Sequence, residues 1–318
     1  MSALLRLTGR RLLQLPIMIL GITFLVFLVM SFSPVDPAIN ALGEGASLQA
    51  RETYREAHGL NDPLMVRYLS FLAGLAQGDL GTYSARQMPV IDEVARAFPL
   101  TIQLTFLGLA IAVVAALIFG VIAALYRDRW PDQAIRLLSI ASLATPSFWL
   151  AVLLIQGFTL GLGWLPASGA MPSFTEDPGG YFARLALPAF ALGVPVAGSL
   201  IRVVRTSVVE ELDKDYVRTA IGGGVPRSEV VGRNVLRNAL ITPITVLGLR
   251  IGYLMGGAVV IEVIFALPGM GTLILNGVTN NEPNLVQGVT LTVALAFVVI
   301  NIVVDMLYVL VNPRIRTV

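Results

Sequence analysis

The chain has 318 residues, of which 56% are hydrophobic and 13% charged, and its formal net charge is +2. Ordinary soluble domains carry about 25% charged residues, so much of this surface is expected to face something other than water. The lack of cysteine excludes disulfides and thiolate metal sites, and one histidine, His58, leaves too little material for a metal cluster or a histidine-based catalytic triad. No contiguous basic stretch is interleaved with aromatic residues, so nucleic acid is not an expected partner.

Residues 1–35 predict an N-terminal flank and a first membrane span. A helix needs about 20 apolar residues to cross a bilayer, and residues 12–35 carry no charge. Arg6, Arg10 and Arg11 precede this block, as in a signal peptide. The block is too long for a signal sequence and no A-x-A cleavage site follows it, so we expect the helix to be retained.

Residues 36–97 predict a small helical insert after the first span, because they are polar, carry both signs of charge and contain several turn signals. The stretch "SLQARETYREAHGL" predicts an amphipathic helix that ends at Gly59. A second helix is expected to follow, with Asp62 as its N-cap and Pro63 at its first helical position.

Residues 98–310 predict a core of five more spans, near 99–126, 137–160, 185–201, 241–265 and 285–304. Pro146 is expected to kink the third span, and the stretch "GWLPASGAMPSFTEDPGGY" reads as an external loop. The predicted fold class is therefore an all-α polytopic membrane protein with six transmembrane helices and an extracytoplasmic helical insert after the first.

The arginines predict the orientation of these spans. Six spans place both termini on one side, and that side collects the arginines of the N-terminus, of the 126–137 connection, of residues 202–237 and of the 311–318 tail. The short loops on the other side hold almost no arginines, apart from Arg184. The 36–97 insert is long, and the arginines of long translocated stretches count little in the positive-inside rule. We therefore expect cytoplasmic termini.

The basic segment, residues 205–240, differs most from its surroundings. It gathers arginines around the Gly222–Gly223–Gly224 break between two apolar blocks. The glycines permit a tight reversal and Pro226 suits the first turn of a following helix, so the pattern predicts a helix–turn–helix projection on the cytoplasmic side. Such a projection would serve either to bind a soluble partner or to lie on anionic headgroups.

The stretch "DYVRTAIGGG…NVLRNALITPITVLGLRIG" resembles the coupling segment, or EAA loop, of ABC importer permeases. "GLNDPL", "GDLG", "TPSFWLA", "LGWLPASG", "GGAVVIEVIFALPGMG" and "NPRIR" extend the likeness over essentially the whole chain. The resemblance is to the dipeptide, oligopeptide and nickel branch, and to the first, or B-type, of its two permeases, because of the large insert after span one.

This resemblance implies a type I importer fold in a prokaryotic inner membrane. It implies a second homologous permease as partner, two ATPase subunits that bind ATP and Mg²⁺, and an extracytoplasmic substrate-binding protein. Coupling to the ATPase is implied for residues 215–238, and specifically for Arg218, Thr219, Ala220, Gly224, Pro226, Arg233, Asn234, Leu236 and Arg237. Gly222 and Gly223 stand where small and basic residues are usual, and Asn234 where a histidine is common.

The chain lacks the material to handle ATP itself. A Walker A loop requires G-x-x-x-x-G-K-[ST], and the single lysine, Lys214, precedes Asp215. We therefore expect no enzymatic activity and no cofactor on this chain, and a mechanical cycle driven by its partners.

Two charged residues of the predicted fifth span are candidates for the substrate pathway. Arg250 lies in mid-span, where a charge is costly. It would attract the carboxylate of a peptide, snorkel to the cytoplasmic face, or pair with an acidic residue of a partner. Glu262 lies at the outer end, before "ALPGMG", and would either face the pathway or hold that loop.

Two other classes of function compete with an importer permease. An ion-coupled secondary transporter usually shows internal repeats and buried acidic residues along its spans, and this chain has few such acids and no detectable repeat. An intramembrane enzyme needs a catalytic set that this composition does not supply. The sequence leaves open whether the cargo is a dipeptide, a longer peptide, glutathione, haem or a nickel complex.

Overall fold

A computed structural model describes residues 2–32, 36–43, 45–83 and 87–311. Their backbone is mainly helical, with one short antiparallel hairpin. The elements are α1 (Ser2–Ser31), α2 (Pro37–Leu42), α3 (Leu48–Ala57), α4 (Leu64–Ala76), β1 (Thr82–Tyr83), β2 (Met88–Pro89), α5 (Val90–Leu125), α6 (Trp130–Ala144), α7 (Ser147–Leu154, continued by a π-helical turn Ile155–Gly161), α8 (Pro178–Leu212), α9 (Asp215–Gly222), α10 (Arg227–Glu229, continued by a π-helical turn Val230–Val235), α11 (Leu236–Ala239), α12 (Ile241–Ile264), α13 (Met270–Thr279) and α14 (Pro283–Val311). The predicted tail, with Arg314 and Arg316, and the side chains of the N-terminal arginines lie outside the described part.

Four described helices are long and apolar enough to cross a membrane: α5, α8, α12 and residues Pro283–Val304 of α14. Helices α6 and α7 pass the same test together, as a span bent by 102°. The kink predicted at Pro146 is confirmed, because this residue lies in the break between them. The part of α1 whose side chains are described, Leu15–Ser31, is apolar but shorter. The count among the described residues is therefore four or five, and six spans stay a prediction.

The fourth predicted span, 185–201, lies inside a longer helix. Helix α8 runs for 35 residues, and it begins where the Asp177 carboxylate accepts a hydrogen bond from the amide of Gly180 at 2.8 Å. It continues past the predicted end at residue 201 through a charged stretch. The polar residues there lowered the apparent hydropathy, but the helix is held by burial along much of its length rather than by apolar character alone.

Contacts group the chain into two units, each described by itself. The first is built mainly from Ile102–Ala266, with α8 at its centre against α6, α7 and α12. Helices α6 and α8 approach closely at Gly198, where an added Cβ would lie 2.6 Å from the carbonyl oxygen of Ser139. A side chain at this position would therefore separate the two helices.

The second unit contains Arg6–Thr101 and Leu267–Val299. Its core includes Val90, Val94, Met270, Leu285 and Val289. The hydroxyl of Thr101 accepts a hydrogen bond from the amide of Met270 at 3.0 Å, which supplies a partner for a donor at the start of α13.

The two helices expected in the insert are present, as α3 and α4. The predicted end near Gly59 is confirmed, because α3 stops at Ala57 and Gly59 adopts a positive φ of 61°. The predicted N-cap Asp62 is wrong: α4 begins at Leu64, and Pro63 occupies the cap position. Pro63 has an extended ψ of 143°, so it precedes the helix instead of opening it.

Candidate functional site

The basic segment forms the predicted helix, glycine turn and second helix. Helix α9 ends at Gly222, and the turn is closed by hydrogen bonds from the amide of Gly224 to the carbonyl of Ile221 and from Val225 to Ala220, at 3.0 and 3.1 Å. Only Gly224 of the three glycines has a positive φ, of 86°. The reversal therefore depends on one glycine, and the other two are not required by the backbone.

The two arms of the basic segment are amphipathic. Their apolar side chains Val217, Val230, Val231 and Val235 are buried. This burial fixes the segment against the rest of the first unit and leaves the opposite face to solvent.

The arginines implied in coupling lie on the exposed face. The side chain of Arg233 is 81% exposed and that of Arg218 is 74% exposed, and their ion pairs with Glu229 and Asp215 are long, at 3.7 Å. Arg237 is also exposed. Exposed pairs of this kind contribute little, so the guanidinium groups remain able to bind another surface.

The remaining coupling candidates lie on the same stretch. Gly224 and Pro226 are exposed in the turn, and Asn234 and Leu236 are half-buried on the second arm. On the first arm the Thr219 hydroxyl bonds back to the carbonyl of Asp215 at 3.0 Å. Ala220 is half-buried on the same arm. The structure thus brings all nine candidates onto one projection, although not all onto one face.

A polar network joins the two arms at their base. The buried carboxylate of Glu211 pairs with Lys214 and accepts a hydrogen bond from the Tyr216 hydroxyl at 2.9 Å. The amide of Asn238, on the second arm, donates to the same hydroxyl at 3.4 Å. Burial raises the pKa of Tyr216, so the phenol keeps its proton. Sequence reasoning missed this network, because its members are spread over 28 residues.

Arg205 does not belong to the exposed arginine face. Its Nε and Nη2 atoms both donate to the carboxylate of Asp132, at 2.7 Å each. Asp132 is fully buried and also accepts the amide of Asp128 at 2.9 Å. This bidentate pair ties the start of α6 to the last turns of α8, at the first residue of the basic segment. Arg205, which the sequence grouped with the other arginines of the basic segment, therefore makes a structural ion pair between two helices.

The two pathway candidates are not brought together. Arg250 is half-buried on α12, and its Nη2 donates to the Ser199 hydroxyl of α8 at 2.8 Å. Glu262 is fully buried on the same helix, about 18 Å further along its axis. They cannot form one binding site for a small group, and any role in the pathway is separate for each.

Arg184 is the charged residue whose position the sequence misjudged most. It appeared to lie at the edge of a loop, but it is fully buried. Its guanidinium donates to the carbonyl of Ala167, in the loop after α7, and to that of Phe265, at the end of α12, the latter at 2.7 Å. It therefore holds two connections of the first unit together through backbone acceptors alone.

The helices define a multi-pass membrane protein. The family described as binding-protein-dependent transport system inner membrane component matches residues 116–317, and its N-terminal component matches residues 4–105. The chain belongs to this family and is an inner-membrane permease of an ABC importer.

Named relatives are similar over almost their full length. A putative peptide transport system permease protein of Brucella abortus (strain 2308) is 39% identical over 302 residues, covering 95% of this chain and 96% of the relative. The glutathione transport system permease protein GsiC of Pectobacterium atrosepticum is 39% identical over 307 residues, covering 96% and 97%. The same permease of Escherichia coli (strain K12) is 38% identical over 307 residues.

Proposed function

We propose that this chain forms half of the translocation pathway of an ATP-driven importer for dipeptides, oligopeptides or related small cargo. The other half is a second, homologous permease, and an extracytoplasmic binding protein delivers the cargo. Two ATPase subunits drive the cycle through residues 215–238. The names of the relatives, peptide and glutathione permeases, support a small peptide-like cargo.

The observation that carries this proposal is the exposed, arginine-bearing helix–turn–helix of the basic segment. Its buried valines hold it in place, while Arg218 and Arg233 are exposed and their ion pairs are long, at 3.7 Å. A fixed, exposed and charged projection is suited to receive a displacement from a soluble partner and pass it to the helices above.

The proposed topology has six spans, with α1 as the first and the α6–α7 pair as the third. The termini and the basic segment lie in the cytoplasm, and residues 36–97 lie outside. Arginine placement supports this orientation. Accessibility of single cysteines tests it: a cysteine introduced at Arg233 should react with membrane-impermeant maleimide only in inverted vesicles, and one at Arg96 only in intact cells.

Coupling is tested by charge reversal on the exposed face. Arg233→Glu with Arg237→Glu should lower co-purification of the ATPase subunits with the tagged permease at least tenfold, because both charges point away from the fold. Arg96→Glu is the matched control, an exposed arginine of the insert paired with Glu93 at 2.9 Å. Equal recovery of ATPase from both variants, or transport by the permease without nucleotide, would contradict the proposal and favour an ion-coupled transporter.

We propose a separate role in the pathway for Arg250. Its hydrogen bond to Ser199 leaves most of the guanidinium's five donors for other groups, and a peptide carboxylate is a suitable acceptor. Arg250→Gln should raise the KM for peptides with a free carboxylate and leave that for amidated peptides unchanged. An equal change for both would assign Arg250 to helix packing. Glu262 is tested in the same way with free and acetylated amino termini.

A further inference from the structure

The end of α8 meets both arms of the basic segment, the first arm (α9) and the second arm (α10 to α11). The second arm packs against α8 and against the first arm, and its valines Val230, Val231 and Val235 are buried. Apolar contacts are non-directional, so they hold the arms together without fixing the angle between them. Hydrogen bonds are directional and can fix that angle.

The hydrogen bonds at this junction run through the hydroxyl of Tyr216. It donates to the Glu211 carboxylate at 2.9 Å and accepts from the Nδ2 of Asn238 at 3.4 Å. A phenol can do both at once, because its oxygen carries one donor and also accepts. Glu211 belongs to α8, Tyr216 to the first arm and Asn238 to the second, so one hydroxyl links all three elements.

Burial makes the link to α8 costly to break. Glu211 is 6% exposed, and a buried carboxylate that loses a donor keeps its desolvation penalty. Lys214 also pairs with Glu211, but it lies between α8 and α9 and does not hold the second arm. The second arm is joined to this carboxylate through Asn238 and Tyr216.

Asn238 directly follows Arg237, one of the exposed arginines proposed to meet the ATPase. We infer that Tyr216 and Asn238 are positioning residues for coupling. They keep the second arm at one angle to α8, so that a displacement of the exposed arginines moves the end of α8 with them. This role rests on the proposed coupling through residues 215–238, and it requires no contact between either side chain and the ATPase.

A distance measured within the complex of permeases and ATPase subunits tests the inference, and the lack of natural cysteine in this chain allows paired labels. Spin labels are attached to cysteines introduced at Thr206, exposed on α8, and at Ser228, exposed on the second arm. Pulsed electron paramagnetic resonance gives their separation with and without ATP and vanadate. With Tyr216 and Asn238 in place, nucleotide should change this separation by less than about 2 Å. With Tyr216→Phe and Asn238→Leu, it should change by at least about 4 Å.

Tyr126→Phe is the matched control, since it removes the hydroxyl of an exposed tyrosine directly after α5, and it should behave as the unaltered chain does. Tyr216→Phe and Asn238→Leu should each give the same change alone as together, because both break one link. A change of 4 Å without either substitution, or none with both, would overturn the inference.

Loss of the ATPase subunits from the Tyr216→Phe and Asn238→Leu variant would also overturn the inference, because these side chains would then shape the docking surface itself. In each of these cases the proposed coupling still stands if the ATPase subunits co-purify with the unaltered chain. Their absence from the unaltered complex would contradict the proposed function, and the positioning role with it.

Discussion

Asp132→Asn should destabilise the protein more than any other single loss of an ion pair among the described residues. The carboxylate is fully buried, and it accepts two hydrogen bonds of 2.7 Å from Arg205 and one of 2.9 Å from the amide of Asp128. Removing one partner of a buried pair costs about 3–5 kcal/mol. Arg205 is 18% exposed and can partly turn to solvent, so we take the lower end, about 3 kcal/mol.

The loss of stability is measured as a fall in Tm, with thermal unfolding in detergent monitored by size-exclusion chromatography. At about 2 °C per kcal/mol for a chain of this size, the expected fall in Tm is roughly 6 °C. Asp213→Asn is the matched control, because its carboxylate also lies 2.9 Å from an arginine, Arg127, but both side chains are exposed. The control should shift Tm by no more than about 2 °C.

A double variant separates pairing from mere packing. Asp132→Leu with Arg205→Met should recover most of the lost stability, because two apolar side chains of similar volume leave no uncompensated charge. A fall in Tm as small for Asp132→Asn as for Asp213→Asn would refute the argument, since it would mean that the buried carboxylate is not paired as described.

Three further results are expected. Gly224→Ala should weaken the recovery of ATPase subunits, because a non-glycine residue at φ 86° costs the folded turn about 1 kcal/mol. Gly222→Ala, at a helical position, should have no effect on this recovery. Equal effects of the two variants would contradict the turn geometry. Arg184→Met should lower Tm by several degrees, because it leaves the Phe265 carbonyl without its buried donor. An unchanged Tm in the same assay would mean that this hydrogen bond does not stabilise the fold. The hydrogen bond from Arg55 lowers the pKa of Asp36, so the stability that this ion pair contributes is complete above the ordinary pKa near 3.9 and is lost as pH falls through the lowered pKa. Hydrogen-exchange protection of α3 should therefore drop only below about pH 4. Asp36→Asn should remove this pH-dependent drop.

The sequence was sufficient for features that depend on local chemistry. Apolar runs predicted helices at α5, α12 and α14, Pro146 predicted the bend of the third span, and the glycine run predicted the reversal of the basic segment. Each rests on residues close in the chain, so periodicity and backbone preference are enough to find them.

The sequence did not predict the position of polar residues whose contacts are distant in the chain. Asp132 and Arg205 are 73 residues apart, and Arg184 contacts a carbonyl 81 residues away. A charge read without its partner suggests a loop or a surface, which is why Arg184 was placed at an edge and why the extension of the fourth helix beyond the predicted span was missed. The N-cap error at Asp62 has a different cause, because a one-residue shift in where a helix begins lies below the resolution of pattern reasoning.

The length of α8 has a mechanical consequence. Its 35 residues extend over about 52 Å, with Arg184 near one end and the start of the basic segment, residues 205–212, at the other. A tilt of about 5° about one end would displace the other by about 4.5 Å, close to the rise of one helical turn. Pro188 and Pro195 each remove a backbone hydrogen bond from the first half, so bending concentrates there and the half that leads to the basic segment stays stiff. If the connections that Arg184 joins changed their angle to α8, the other end of the helix would therefore move by several ångströms.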